Sequence, residues 1–168
     1  MSETIYADVP FPERQLLALC ERVGLRATLF AIWGTAYRPT RDVDFTGYGS
    51  SDSEDVIHAF REICNTPDEV DQLVFDTANI TTEPIRDGSE YDGLRIKIRA
   101  RLGESDIPIQ VDVGFGDAIT PGPIEIDYPA LLDAPAPHLR AYPIETVVAE
   151  KFHALATRGI TNSRLKDY

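Results

Sequence analysis

The segment "RPTRDVDFTG", Arg38 to Gly47, sets two aspartates two residues apart inside an apolar, strand-like run, with Thr40 and Arg41 just ahead of them. Side chains alternate faces along a strand, so Asp42 and Asp44 project from one side while Val43 and Phe45 project from the other. The pattern predicts a strand with one face in a core and two carboxylates held side by side on the opposite face.

The flanking sequence supplies partners for that strand. Residues from about Glu13 to Val23 read as an amphipathic helix, and Leu25 to Trp33 as an apolar segment leading into the aspartates. After a Gly47-Tyr48-Gly49 turn, "SDSEDVIHAFREIC" predicts a helix: Ser51 and Glu54 match a capping box, and Val56, Ile57, Phe60, Ile63 and Cys64 form one apolar stripe. "LVFDTANITTEPI" reads as a strand, followed by an Asp87-Gly88 turn signal. "LRIKIRARL" alternates strictly, with Leu94, Ile96, Ile98, Ala100 and Leu102 on one face and Arg95, Lys97, Arg99 and Arg101 on the other. Beyond the turn "GESD", "IPIQVDVGF" alternates as well. The two runs predict a hairpin in which shared burial of the apolar sets puts Asp112 on the side of the basic row. The proline-rich connection up to Pro143 is expected to hold little regular structure beyond a short strand at Ile124 to Ile126.

The length, 168 residues, and a 43% apolar content fit one globular domain spanning 1–168, with a helical C-terminal part from about 143. The start "MSETIYADVP" is acidic, unlike a signal peptide, and no apolar run is long enough to span a membrane, so a cytoplasmic protein is expected. A net charge of -12 argues against non-specific coating of nucleic acid, although a local basic site remains compatible with it. Cys20 and Cys64 have no metal-ligand spacing and read as core thiols. His58 reads as solvent-facing, His138 lies in the proline-rich loop, and His153 points away from Lys151. "GFGD", Gly114 to Asp117, reads as a tight turn after a strand.

The last helix, "IETVVAEKFHALA", holds a second anomaly. Its apolar stripe runs Ile144, Val147, Val148, Phe152 and Leu155, and the position that completes it is Lys151. An inward ammonium is paired with a carboxylate, snorkels to the edge, or waits for an anionic ligand. Taken together, two carboxylates on one strand face, a third at Asp112, a row of cations and an inward lysine describe a Mg²⁺ and triphosphate site. Hard cations prefer carboxylate oxygens and phosphates, and cationic side chains neutralise charge as it develops on a transferring phosphoryl group.

Four blocks in order, "RPTRDVDF", "IPIQVDVGFGDAITPGP", "YPALLDAPAPHLRAYPIETVVAEKFHAL" and "NSRLKDY", resemble the AbiEii/AbiGii-type nucleotidyltransferase toxin family, which includes the MenT toxins of mycobacteria. The resemblance implies an α+β fold: a DNA polymerase β-like nucleotidyltransferase core with a mixed β-sheet flanked by helices. It also implies transfer of a nucleoside monophosphate from an NTP, with Mg²⁺ or Mn²⁺, to the 3′ acceptor end of tRNA, and a cognate antitoxin as partner. By the same resemblance Asp42, Asp44 and Asp112 would hold metal, and Lys151 and Asp167 would complete the catalytic set. Thr40, Arg41, Lys151 and Lys166 would contact the nucleotide. Arg95, Lys97, Arg99 and Arg101 would face the RNA. The alternative is a non-catalytic or protein-modifying member of the same fold. Two departures stand out: "GLRATLFAIW" replaces the usual glycine-containing loop, and the sequence stops at Tyr168 inside the last block.

Overall fold

The computed structural model describes residues 27–29, 42–67, 72–85, 93–128 and 136–158. Eight strands form one mixed sheet: β1 (Ala27–Leu29), β2 (Asp42–Gly47), β3 (Val74–Phe75), β4 (Thr81–Pro84), β5 (Gly93–Leu102), β6 (Ser105–Phe115), β7 (Ile124–Asp127) and β8 (His138–Ala141). Their order is β3-β5-β6-β2-β1-β8-β7, with β4 also on β5. β2 runs parallel to β6 and β1 parallel to β8, while the other pairs are antiparallel. Among the described residues two α-helices accompany the sheet, α1 (Ser53–Cys64) and α2 (Ile144–Arg158).

The alternating sequences dictate a two-faced sheet. Val43 and Phe45 of β2, Leu94, Ile96, Ile98 and Ala100 of β5, and Ile109, Val111 and Val113 of β6 are all buried in one cluster with Val56, Phe60, Ile63 and Cys64 of α1. Phe60 is 2% and Ile63 0% exposed; removing a ring so placed costs about 3–5 kcal/mol. Burial of Cys64 pushes its thiol up to about 12. The residues between the buried positions therefore line the opposite face, where the acidic and basic side chains lie.

Local chemistry moves several expected boundaries. The cap of α1 is Asp52 and not Ser51: its carboxylate accepts from the backbone N–H of Glu54 at 2.9 Å and of Asp55 at 3.4 Å, satisfying two of the helix's open donors. The run 73–85 is two short strands, β3 and β4, interrupted by a 3-10 turn at Thr77–Asn79. Asn79 Nδ2 bonds Asp76 Oδ2 there at 2.8 Å, the turn-forming chemistry of Asx residues. The β5–β6 hairpin is tighter than "GESD" suggests, since Leu102 pairs with Ser105. Gly103, at φ +60°, supplies the positive φ that a two-residue turn needs. The proline-rich connection contains β8 as well as β7, paired antiparallel from Ile124↔Ala141 to Asp127↔His138.

The stripe expected along α2 is corrected more deeply. Val147 is buried, but Ile144, Val148 and Phe152 are exposed and Lys151 is half-buried; the Leu155 side chain lies outside the described residues. The helix docks through Tyr142, Pro143, Thr146 and Val147, all buried, because its entry is fixed by polar contacts and not by an aliphatic ridge. Among the described residues no helix is long and apolar enough to cross a membrane.

Candidate active site

Asp44 and Asp112 are direct partners across the parallel β2/β6 pair. Neighbouring strands lie about 4.8 Å apart, so two of the predicted carboxylates stand side by side on the face opposite the core. Asp44 is exposed and Asp112 half-buried. Asp42 pairs with Gln110 through its backbone, and its side chain lies outside the described residues. Thr40, Arg41, Lys166 and Asp167 lie outside them altogether.

Asp112 is also the partner of Arg95 across the β5/β6 hairpin. The guanidinium grips the carboxylate with both arms, Nε to Oδ1 at 2.9 Å and Nη2 to Oδ2 at 2.7 Å. The basic row thus shares its face with Asp112, as the alternation requires. Lys97 pairs with Glu83 at 2.5 Å, holding that carboxyl below its usual range mainly through the hydrogen bond, and Arg99 pairs with Asp106. Three of the four cations are therefore matched by acids, and Arg101 has no acid partner among the described residues.

One step further along β2 the same face turns polar and closed. Thr46 is 2% exposed. Its hydroxyl donates to Asp117 Oδ2 at 3.2 Å and bonds the Tyr142 hydroxyl. A threonine has one proton to give, so Tyr142 is the donor and the chain runs Tyr142 to Thr46 to Asp117. Burial raises the Tyr142 pKa well above its usual value, with nearby Asp117, Glu150 and Tyr48 adding to the shift. Gly114 makes room for this arrangement: a Cβ there would stand 3.0 Å from Asp117 Oδ2.

The same contacts tie α2 to the aspartate face. Tyr142 stands two residues before the helix, and Thr146 in its first turn donates to the Thr120 carbonyl at 2.7 Å. Pro143 contributes its carbonyl to the N–H groups of Thr146 and Val147, at 3.0 and 3.2 Å. Glu150, two turns in, has its carboxyl raised by partial burial and then by the charge of Asp117, with His153 opposing. Lys151 follows one turn after buried Val147, on the same side of the helix. It is half-buried and has no acid partner among the described residues. Thr46, Tyr142 and Glu150 went unread in the sequence, and Asp117 reads there only as the end of a turn. Thr46 was detectable, since it continues the period-two face of Asp44, but nothing in the loops marked Asp117 or Tyr142.

The donor chemistry suits a hard divalent cation. Asp44 and Asp112 offer carboxylate oxygens on adjacent positions, and each oxygen gripped by Arg95 keeps a second lone pair. Among the described residues no three His, Cys, Asp or Glu side chains are placed to hold a metal; the side chain of Asp42, the further ligand expected from the sequence, lies outside them. The paired acids of β2 and β6 and the Thr46–Tyr142 tether of α2 thus lie on one face of the mixed sheet.

The family described as nucleotidyl transferase AbiEii toxin, type IV toxin-antitoxin system, matches residues 27–168. No curated protein matches the chain in sequence. In fold it is similar to JHP933 from Helicobacter pylori, at a TM-score of 0.58 and 12% identity, over 95% of this chain and 64% of that one. It is also similar to a candidate nucleotidyltransferase from H. pylori, at a TM-score of 0.51 and 11% identity, over 83% of this chain and 55% of that one. The chain thus spans less than two thirds of the length of either structure.

Proposed function

Because the chain belongs to the AbiEii nucleotidyl transferase toxin family of type IV toxin-antitoxin systems, we propose that it transfers a nucleoside monophosphate from an NTP to the 3′ acceptor end of tRNA, blocking translation in the cytoplasm until a cognate antitoxin intervenes. The observation that carries the reading is the register Asp44↔Asp112, which sets two carboxylates on neighbouring strands of the face to which α2 is tied.

In the reaction, a terminal hydroxyl oxygen of the acceptor bonds the α-phosphorus as the bond to the β-phosphate oxygen breaks. Pyrophosphate leaves, and the hydroxyl proton passes to a carboxylate or to solvent. Asp42, Asp44 and Asp112 would hold Mg²⁺ or Mn²⁺, which neutralises phosphate charge and orients the reacting oxygens. Lys151 would pair with the triphosphate, and Asp167, Lys166, Thr40 and Arg41 would complete the nucleotide site. Arg101 and its neighbours in the β5 row would take acceptor phosphates, exchanging the carboxylates that pair Lys97 and Arg99 for RNA.

Incubation of the intact protein with labelled NTPs, Mg²⁺ and total tRNA tests the reading. Label on the tRNA 3′ end, lost in Asp44→Ala, is expected. Folded protein that labels no tRNA contradicts it, and label on protein instead would move the acceptor from RNA to a protein hydroxyl.

A further inference from the structure

The face of β2 that carries Asp44 and Thr46 continues one step past the strand to Tyr48. Tyr48 is 44% exposed, and the guanidinium carbon of Arg140 lies over its ring, 6.0 Å from the centroid. Arg140 belongs to β8, where Leu139 enters the core and Arg140 stays exposed. The alternation therefore places Arg140 on the side from which Tyr142 reaches Thr46. Tyr48 is also near enough to Tyr142 to add to the rise of its pKa. Both members of the pair thus belong to the proposed active face, at its far end. Four steps of about 3.3 Å each carry the chain from Asp44 to Tyr48, a span of about 13 Å.

The pair differs in character from the three acid-matched cations of β5. Arg95, Lys97 and Arg99 are matched by Asp112, Glu83 and Asp106. Arg140 has no acid partner among the described residues and is set over an aromatic ring instead. At 6.0 Å the contact is at the outer limit for a cation–π pair, so it contributes little to folding, and Tyr48 keeps 44% of its surface exposed. A half-exposed tyrosine beside a planar cation that makes no ion pair among the described residues offers a base a π-face to stack on and a charge for the adjoining phosphate.

We propose that Tyr48 and Arg140 form a nucleobase platform at the end of the β2 face, taking either the base of the incoming NTP or the terminal base of the RNA acceptor. The proposal rests on the transferase reading for its place in a reaction, but binding is measured without turnover, so the two fail separately.

The test is equilibrium binding to the intact protein of four probes: NTPs with Mg²⁺, inorganic triphosphate with Mg²⁺, a short single-stranded RNA, and the same RNA lacking its terminal base. Stacking is worth about 1–3 kcal/mol per base, so Tyr48→Ala should weaken the base-bearing ligand roughly 5- to 150-fold and leave the matching base-free probe unchanged. Tyr48→Leu, which keeps apolar bulk without the π-face, should behave like Tyr48→Ala. Tyr48→Phe should bind like wild type, and Arg140→Ala should weaken the same ligand. Loss confined to NTPs assigns the platform to the incoming base, and loss confined to RNA assigns it to the acceptor. Equal binding by wild type and Tyr48→Leu, equal losses with and without the base, or wild type that binds neither NTP nor RNA overturns the proposal. Binding with the expected losses but no nucleotide transfer keeps the platform and removes the transferase reading.

Discussion

Replacing Arg95 by methionine removes the two-armed contact to Asp112. The Arg95 guanidinium makes two charge-assisted bonds to Asp112, at 2.9 and 2.7 Å, and the Asp112 side chain keeps only 14% of its surface exposed, against 34% for Arg95. A hydrogen bond to a charged group is worth about 1.5–3 kcal/mol, and Arg95's exposure argues for the low end of the combined effect. Loss of about 2 kcal/mol follows, most of it the cost of leaving the Asp112 carboxylate desolvated and unpaired. For a chain of this size that lowers the melting temperature by about 4–8 °C. The assay is thermal unfolding of wild type, Arg95→Met, Asp112→Leu and the double variant, with and without millimolar Mg²⁺. Arg95→Met should be the least stable, the double variant should recover most of the loss, and Mg²⁺ should recover part of it in Arg95→Met only, because the freed carboxylate gains a counter-ion. An Arg95→Met protein that melts with wild type, or gains nothing from Mg²⁺, refutes the reasoning.

Three further outcomes are expected. Tyr142→Phe removes the donor that reaches buried Thr46, so unfolding should show a loss of about 1 kcal/mol, and double-mutant coupling with Thr46→Val should be non-additive; additive losses would mean the hydroxyls act independently. Folding raises the Glu150 pKa, so its contribution to stability is full below the unfolded glutamate range and falls as pH rises through the folded value. Glu150→Gln should therefore melt above wild type at pH 8, with the gap closing toward pH 4; a gap that widens in acid contradicts the sign. Lys151 is half-buried and lacks an acid partner among the described residues, so Lys151→Met should keep the wild-type melting temperature while losing at least about 100-fold in nucleotide transfer. If it unfolds, the lysine was structural.

The sheet was largely legible, because period-two alternation in Asp42–Gly47, Leu94–Leu102 and Ile107–Phe115 names both faces of each strand. Once those apolar sets are buried together, Asp44, Asp112 and Arg95 must share a face, and the register puts them in one row across three adjacent strands. The α1 stripe was legible for the same reason with period 3.6. What escaped was fixed by contacts distant in sequence. The Thr46–Tyr142 bond spans 96 positions, and no local pattern tells a buried tyrosine from an exposed one. The α2 stripe misled because Ile144, Val148 and Phe152 satisfy a helical period without being the face that docks; Thr146 and Tyr142 set the helix instead. β8 hid among prolines, where four residues, His138 to Ala141, are too short a run for alternation to stand out. The basic row of β5 read as a cationic surface because its partners, Glu83, Asp106 and Asp112, come from other strands.

Binding of Mn²⁺ in the presence of a non-hydrolysable NTP, followed by electron paramagnetic resonance, addresses the paired carboxylates most directly. Wild type should immobilise Mn²⁺ together with the nucleotide, and Asp44→Asn and Asp112→Asn should each weaken that binding at least about tenfold while both proteins remain folded. Mn²⁺ and nucleotide held as tightly by Asp44→Asn as by wild type would contradict the account.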